Sequence, residues 1–321
     1  MAPWPVAPGV ASRRLVGRAF GLALRADFGI GHLLAPDAPA AGTLDLRQVA
    51  ALSCLGSAET RRIVAQARPD GSPLLTVDHH ESAGYRIEAP GFGEHLLSLD
   101  GRRAWCVDPD SASADWHRLL FAQVLPTAAA LQGLEVLHAS AVAWTGEVTG
   151  FVAPSGTGKS SLSARLAARG AEFVTDDVLA LATGSGHPIA HPGPAFALRW
   201  PGSSDGGTAP VNPAGGPAPW PAEKQVVSEP PVNRPLPLTR LCFLELALPG
   251  AEPGLDPLDA PDPRLLLAST FVAHIDTAGR LEAQLNACSE LARTVACFRL
   301  RLAPGREGIA AAAAMLEAVR R

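Results

Sequence analysis

The stretch 150–170, GFVAPSGTGKSSLSARLAARG, constrains this chain more than any other. It opens with an apolar stub, passes through a run of small residues around one lysine, and ends in a pattern of helical period. Leu162 and Leu166 fall on one helix face, Arg165 and Arg169 lie away from it, and Gly170 is placed to stop the helix. A strand, a tight loop and a helix must therefore follow one another here.

The eight residues Ala153, Pro154, Ser155, Gly156, Thr157, Gly158, Lys159 and Ser160 fit the P-loop pattern, with alanine where its first glycine usually stands. In such a loop the backbone N–H groups, continued by Ser161, converge on phosphate oxygens, and the helix behind them adds its positive end. Small side chains are needed because the backbone itself must approach the ligand. Lys159 is expected to reach the β- and γ-phosphates, and the Ser160 hydroxyl to ligate Mg²⁺, which makes ATP and Mg²⁺ the expected cofactors.

The rest of the chain supplies a setting for that loop. Residues 72–107 alternate in short segments broken by glycine, proline and Asp-Gly, the signature of an antiparallel meander. Over 113–132 Trp116, Leu119, Leu120, Val124 and Ala128 recur at helical spacing, and Pro126 should kink or divide that helix. LEVLHASAVAWTGEVTGFV reads as strand, turn at Thr145-Gly146, strand; EFVTDDVLAL reads as one more strand, bearing Asp176 and Asp177. Between 201 and 237, 15 residues are Pro or Gly, which predicts a flexible loop. TRLCFLELAL reads as a buried strand, and 264–291 and 307–320 as helices.

Length and charge bound the function. With 321 residues and 47% hydrophobic side chains, the chain is long enough for two domains or one large one, and a formal charge of −4 leaves no basic stripe for a nucleic acid. Five cysteines without CxxC spacing predict reduced core thiols rather than disulfides or zinc. No secretory h-region and no membrane span is legible, so the expectation is a cytoplasmic protein that binds no membrane.

LHASAV, the P-loop and RGAEFVTDDVLAL together resemble the HPr kinase/phosphorylase family and its serine-kinase relatives, including peptide-tailoring kinases. The resemblance is specific over 134–181 and continues through AHPGPAFALRW, EKQVV and PLPLTRLCFLEL. It implies an α/β P-loop kinase domain of phosphoenolpyruvate carboxykinase type at 119–321, preceded by a smaller mixed α/β lobe at 1–118 that could hold the acceptor. It also implies that Asp176 is the general base for the acceptor hydroxyl, that Asp177 supports it or holds metal with Ser160, and that His138 touches phosphate or orders Asp176. Lys224 matches a lysine that closes on the phosphates; Arg199 and Arg234 are weaker candidates of that kind. The acidic, glycine-rich signature of the bifunctional members is missing after Asp177, which argues against the reverse, phosphorolytic reaction.

Phosphoryl transfer asks for an aligned acceptor oxygen and a group to take its proton, and these residues meet that demand. The expected activity is an ATP- and Mg²⁺-dependent kinase acting on a hydroxyl, foremost a serine of a peptide or small protein. A small-molecule hydroxyl kinase and a non-catalytic nucleotide-binding regulatory module are the alternatives, and homo-oligomerisation is open. Glu245 could pass for a Walker B carboxylate, although the aspartate pair lies nearer the expected position. Ser140 reads as a packing residue. Asp78, His79 and His80 lack metal-site spacing and read as hairpin surface.

Overall fold

The structure, a computed structural model, describes residues 13–30, 37, 39–52, 59–108, 114–199, 225–248, 252–259 and 261–319. It divides into two compact units, Met1–Leu134 with Val272–Arg280, and Glu135–Phe271 with Leu281–Arg321. Both are built on large mixed sheets. The helical stretch after residue 114 falls in the first unit, so this division comes later than residue 118.

In the first unit the strands are β1 (Arg14–Ala19), β2 (Leu22–Ala26), β3 (Gly42–Val49), β4 (Thr60–Ala67), β5 (Pro73–His80), β6 (Gly84–Ala89), β7 (Gly93–Leu97) and β8 (Arg103–Val107). They form one sheet in the order β1-β2-β3-β8-β7-β6-β5-β4. The meander legible in the sequence is its β5 to β8 portion. What local pattern could not show is the parallel pairing of β3 with β2 and β8.

After β8 come α1 (Ala114–Leu119), a π-helical turn (Leu120–Val124) and α2 (Leu125–Leu131). Pro126 lacks an N–H and its ring crowds the preceding turn. The helix is divided there, as the proline predicts: Leu125 N–H bonds back to the Leu120 carbonyl, five residues earlier, and α2 restarts with Pro126 in its first turn. Trp116, Leu119, Leu120, Val124 and Ala128 are all buried.

In the second unit the strands are β9 (Glu135–Leu137), β10 (Ala139–Trp144), β11 (Glu147–Val152), β12 (Glu172–Thr175), β13 (Leu179–Ala182), β14 (Ile189–His191), β15 (Phe196–Arg199), β16 (Gln225–Ser228), β17 (Leu236–Leu246), β18 (Gly254–Leu258) and β19 (Ala296–Leu302). The helices are α3 (Lys159–Ala167), α4 (Pro263–Ala268), α5 (Ala278–Thr294), which belongs to this unit from Leu281 on, and α6 (Gly305–Val319). β17 is central, parallel to both β11 and β19, and β10 lies antiparallel on the far side of β11. β15 and β16 form a separate two-stranded hairpin.

Alternation along the strands feeds two cores. Leu241 and Phe243 of β17 face a cluster with Leu266, Cys288 and Leu291, whereas Cys242 and Leu244 face one with Leu162, Leu166, Ile309 and Ala313. Helices α3 and α6 thus seal one face, as a helix-flanked sheet requires. Leu162 and Leu166 are fully buried, so Leu162→Ala should cost about 2–5 kcal/mol. The turn between β10 and β11 holds Thr145 at φ 50 and Gly146 at φ 84, the two positive values of a type I′ hairpin. Gly170, at φ 95, ends α3 in a Schellman arrangement, with Gly170 N–H on Ala167 O and Ala171 N–H on Leu166 O.

Three expectations change. The segment read as a single strand over 172–181 is two strands, β12 pairing with β10 and β13 with β9 and β14, and the aspartates occupy the turn between them. The helix expected over 264–291 is α4 and α5, separated at 269–277. Within the loop expected over 201–237, 225–228 is β16 and 236–237 open β17; 201–224 lie outside the described residues. Cys106, Cys242, Cys288 and Cys297 are buried free thiols, and Cys54 lies outside the described residues. Among the described residues no helix is long and apolar enough to cross a membrane.

Candidate functional site

The loop 153–158 leaves the C-terminal end of β11, where parallel strands of α/β sheets present their ligand crevice. Gly156 and Gly158 hold φ of +85° and +111°, values that L side chains rarely adopt. A Cβ on Gly158 would also lie 2.9 Å from Ile309 Cδ1. Thr157 closes the loop on itself, its hydroxyl donating to the Pro154 carbonyl at 3.0 Å. α3 opens at Gly158, which has no side chain to cap it.

Lys159 is 5% exposed and curls over the loop. Its Nζ donates to the Ala153 carbonyl at 2.7 Å, the Pro154 carbonyl at 3.3 Å and His138 Nε2 at 3.1 Å. His138 sits at the break between β9 and β10, where its own N–H donates to the Ser269 carbonyl. Since Nε2 accepts from Lys159, the ring proton belongs on Nδ1, which lies 3.1 Å from the Asp177 carbonyl. Burial pushes the His138 pKa below its ordinary value; Asp177 opposes that shift and Lys159 reinforces it. The imidazole is therefore neutral at pH 7, as its contacts demand.

Asp176 lies at the turn after β12, and its carboxylate gathers three donors. Oδ1 accepts from the hydroxyls of Ser160 and Ser140, each at 2.7 Å, and Oδ2 accepts from the Leu198 N–H at 3.1 Å. Asp177 follows in the left-handed region at φ 69, which turns its side chain the other way, with Oδ1 3.5 Å from His138 Nδ1. The side chains of His138 and Asp177 retain 28% and 36% of their surface, so both remain open to an incoming group. Two adjacent carboxylates thus serve different neighbours.

Of the residues singled out in the sequence, Lys159, Ser160, Asp176, Asp177 and His138 converge here. Lys224 lies outside the described residues; its chain neighbour Gln225 pairs with Arg199. Arg199 is at the site, donating to the Ser160 carbonyl, whereas Arg234 is exposed. Glu245 stands apart, 3.7 Å from Arg299. Asp78 and His80 are buried rather than surface: Asp78 accepts from Arg62 Nε and Nη2, and His80 Nδ1 accepts the N–H groups of Ser82 and Ala83. No group of three metal-ligating side chains exists among the described residues.

Ser140, Leu198 and Glu229 were not legible as parts of the site. Ser140 is fully buried and looks like a packing serine until Asp176 folds onto it. Leu198 contributes only backbone, and Glu229 arrives through the β15–β16 hairpin.

The donor set suits a small hard cation. A serine hydroxyl and a carboxylate supply oxygen ligands, the number Mg²⁺ takes from a protein when phosphates and water fill the rest. An uncapped helix start behind a glycine loop suits phosphate.

No family model matches the sequence, and no curated protein does. Among solved structures the chain is similar to the Hpr(Ser) kinase/phosphatase from Coxiella burnetii, at 13% identity and a TM-score of 0.30, over 58% of this chain and 96% of that one. That superposition is too loose to carry residue roles, which rest on this chain's own geometry.

Proposed function

We propose that the second unit is an ATP- and Mg²⁺-dependent kinase that transfers the γ-phosphoryl group to a hydroxyl, foremost a serine of a peptide or small protein. The observation that carries this reading is the 2.7 Å hydrogen bond from Ser160 Oγ to Asp176 Oδ1, beside Lys159 at the head of a helix entered through a glycine loop. Ser160 and Asp176 would hold Mg²⁺, which would offset the charge of the phosphates. The backbone of 154–161 would hold the phosphates, and Lys159 would leave the carbonyls of Ala153 and Pro154 to meet them.

The hydrogen bonds favour a different division of labour between the aspartates from the one that the family resemblance implies. Asp176 is committed to Ser160, so the two form the metal pair. Asp177, with 36% of its side chain exposed and beside neutral His138, is better placed to take the acceptor's proton. His138 links that side to the phosphate side, since the same ring meets Asp177 through one nitrogen and Lys159 through the other. The test is transfer of label from γ-labelled ATP to serine peptides by wild type and by Lys159→Met. Loss of transfer in the variant supports the assignment, and undiminished turnover refutes it.

A further inference from the structure

Two contacts tie the phosphate cradle to the β15–β16 hairpin, which is distant from it in sequence. Leu198 N–H of β15 donates to Asp176 Oδ2 at 3.1 Å, and the adjacent Arg199 places Nη1 2.5 Å from the Ser160 carbonyl in the first turn of α3. Its Nη2 donates to Glu229 Oε2 at 3.0 Å, just beyond the end of β16. The Arg199 side chain is 10% exposed, so its charge is answered by these partners more than by water.

A two-stranded hairpin of four-residue strands, outside the main sheet, has little stability of its own. Burial of Phe196 and Ala197 seats it, but apolar contact does not fix its orientation to a fraction of an ångström. Directional, charge-assisted bonds do. We propose that Arg199 and Glu229 form a positioning pair: they lock the hairpin onto α3 so that the Leu198 N–H stays on Asp176 and keeps its carboxylate aligned on Ser160. This rests on the kinase reading only in what the alignment is for. The two anchors act on the two members of the metal pair, the backbone N–H on the carboxylate and the guanidinium on the serine's own carbonyl.

The experiment compares full-length wild type with Arg199→Met, Arg199→Lys and Glu229→Gln. Hydrogen exchange is read at Leu198 without nucleotide, and ADP affinity is measured by calorimetry with and without Mg²⁺. Arg199→Met should speed exchange at Leu198 at least about tenfold and cut the Mg²⁺-dependent gain in ADP affinity by about tenfold, with metal-free affinity within about twofold. Arg199→Lys, a point charge in place of a fork, should fall between, and Glu229→Gln should shift both readouts less. The double variant Arg199→Met/Glu229→Gln should be no worse than Arg199→Met alone.

Unchanged Leu198 exchange and an unchanged Mg²⁺ gain in Arg199→Met would overturn the proposal. So would a loss of protection spread over β11 and β17 in both Arg199→Met and Glu229→Gln, because the pair would then hold the fold rather than the site. If wild type binds no ADP, the kinase reading fails, while exchange at Leu198 still decides whether the pair positions the hairpin.

Discussion

Asp176→Asn and Asp177→Asn remove the same charge one residue apart and should have opposite signatures. At position 176 the amide can turn its oxygen to the Leu198 N–H and its NH₂ to Ser140 and Ser160, whose hydroxyls rotate to accept. All three contacts survive, but none is charge-assisted any longer. Each such bond falls from about 1.5–3 to about 0.5–1.5 kcal/mol, and because the three share one group the sum is about 1–3 kcal/mol. At about 2–4 °C per kcal/mol for a unit of this size, the melting temperature should drop by about 2–12 °C, leaving a folded protein. The Mg²⁺ gain in ADP affinity should fall by about 10- to 100-fold, because a carboxylate at the metal is gone. Asp177→Asn should keep that gain within about threefold and lose about 10²–10⁴ in transfer rate, the range of a general base. Calorimetry with ADP, with and without Mg²⁺, and a transfer assay separate the two. If Asp176→Asn retains the Mg²⁺ gain while Asp177→Asn loses it, the assignment is reversed and the reasoning from the Ser160 hydrogen bond is refuted.

Gly158→Ala should cost about 2 kcal/mol from the left-handed backbone alone, and the clash with Ile309 should also move the loop; a melt and an ADP titration check both effects. An ADP affinity equal to wild type would mean that this glycine is incidental. In the first unit, His95 is fully buried, neither ring nitrogen has a hydrogen-bond partner among the described residues, and burial pushes its pKa down from 6.5 to about 3. The folded state resists the proton that the unfolded chain binds, so stability is full above pH 6.5 and is lost as pH falls toward 3, at up to about 1.4 kcal/mol per pH unit. His95→Leu should therefore be near neutral at pH 7 and spare about 2 kcal/mol of the loss on going to pH 5, read by urea unfolding at the two pH values. Equal pH dependence in both proteins would exclude His95 as a source; His274, pushed to about 4, would then be the next to replace.

What was legible in the sequence was local. The glycine loop, the buried stripe of Leu162 and Leu166, the Thr145-Gly146 turn and the Gly170 stop are each encoded within a few residues, and each stands where the pattern put it. The alternation over 73–107 likewise gave the meander. The aspartates show the limit: residues 172–181 read as one strand because nothing in their composition marks a break. Asp177 leaves the strand region only because Val178 N–H closes onto the Asp176 carbonyl and Thr175 Oγ1 donates to the Val178 carbonyl. The two carboxylates part toward different neighbours at that turn, which a single-strand reading could not show. Arg199 and Glu229 depend on a hairpin whose strands are joined through 200–224, a pairing no local pattern reveals. Likewise, β3 between β2 and β8 is a non-local choice of neighbours.

Transfer of a phosphoryl group from ATP to a hydroxyl is the activity proposed for the second unit. The most direct measurement is incubation of the full chain with γ-labelled ATP, Mg²⁺ and a library of serine-containing peptides, followed by mass spectrometry of the peptides. Phosphoserine bearing the label is expected in the presence of wild type and Mg²⁺, and none with Lys159→Met or with chelator. Absence of labelled peptide, or equal labelling by wild type and Lys159→Met, would contradict that activity.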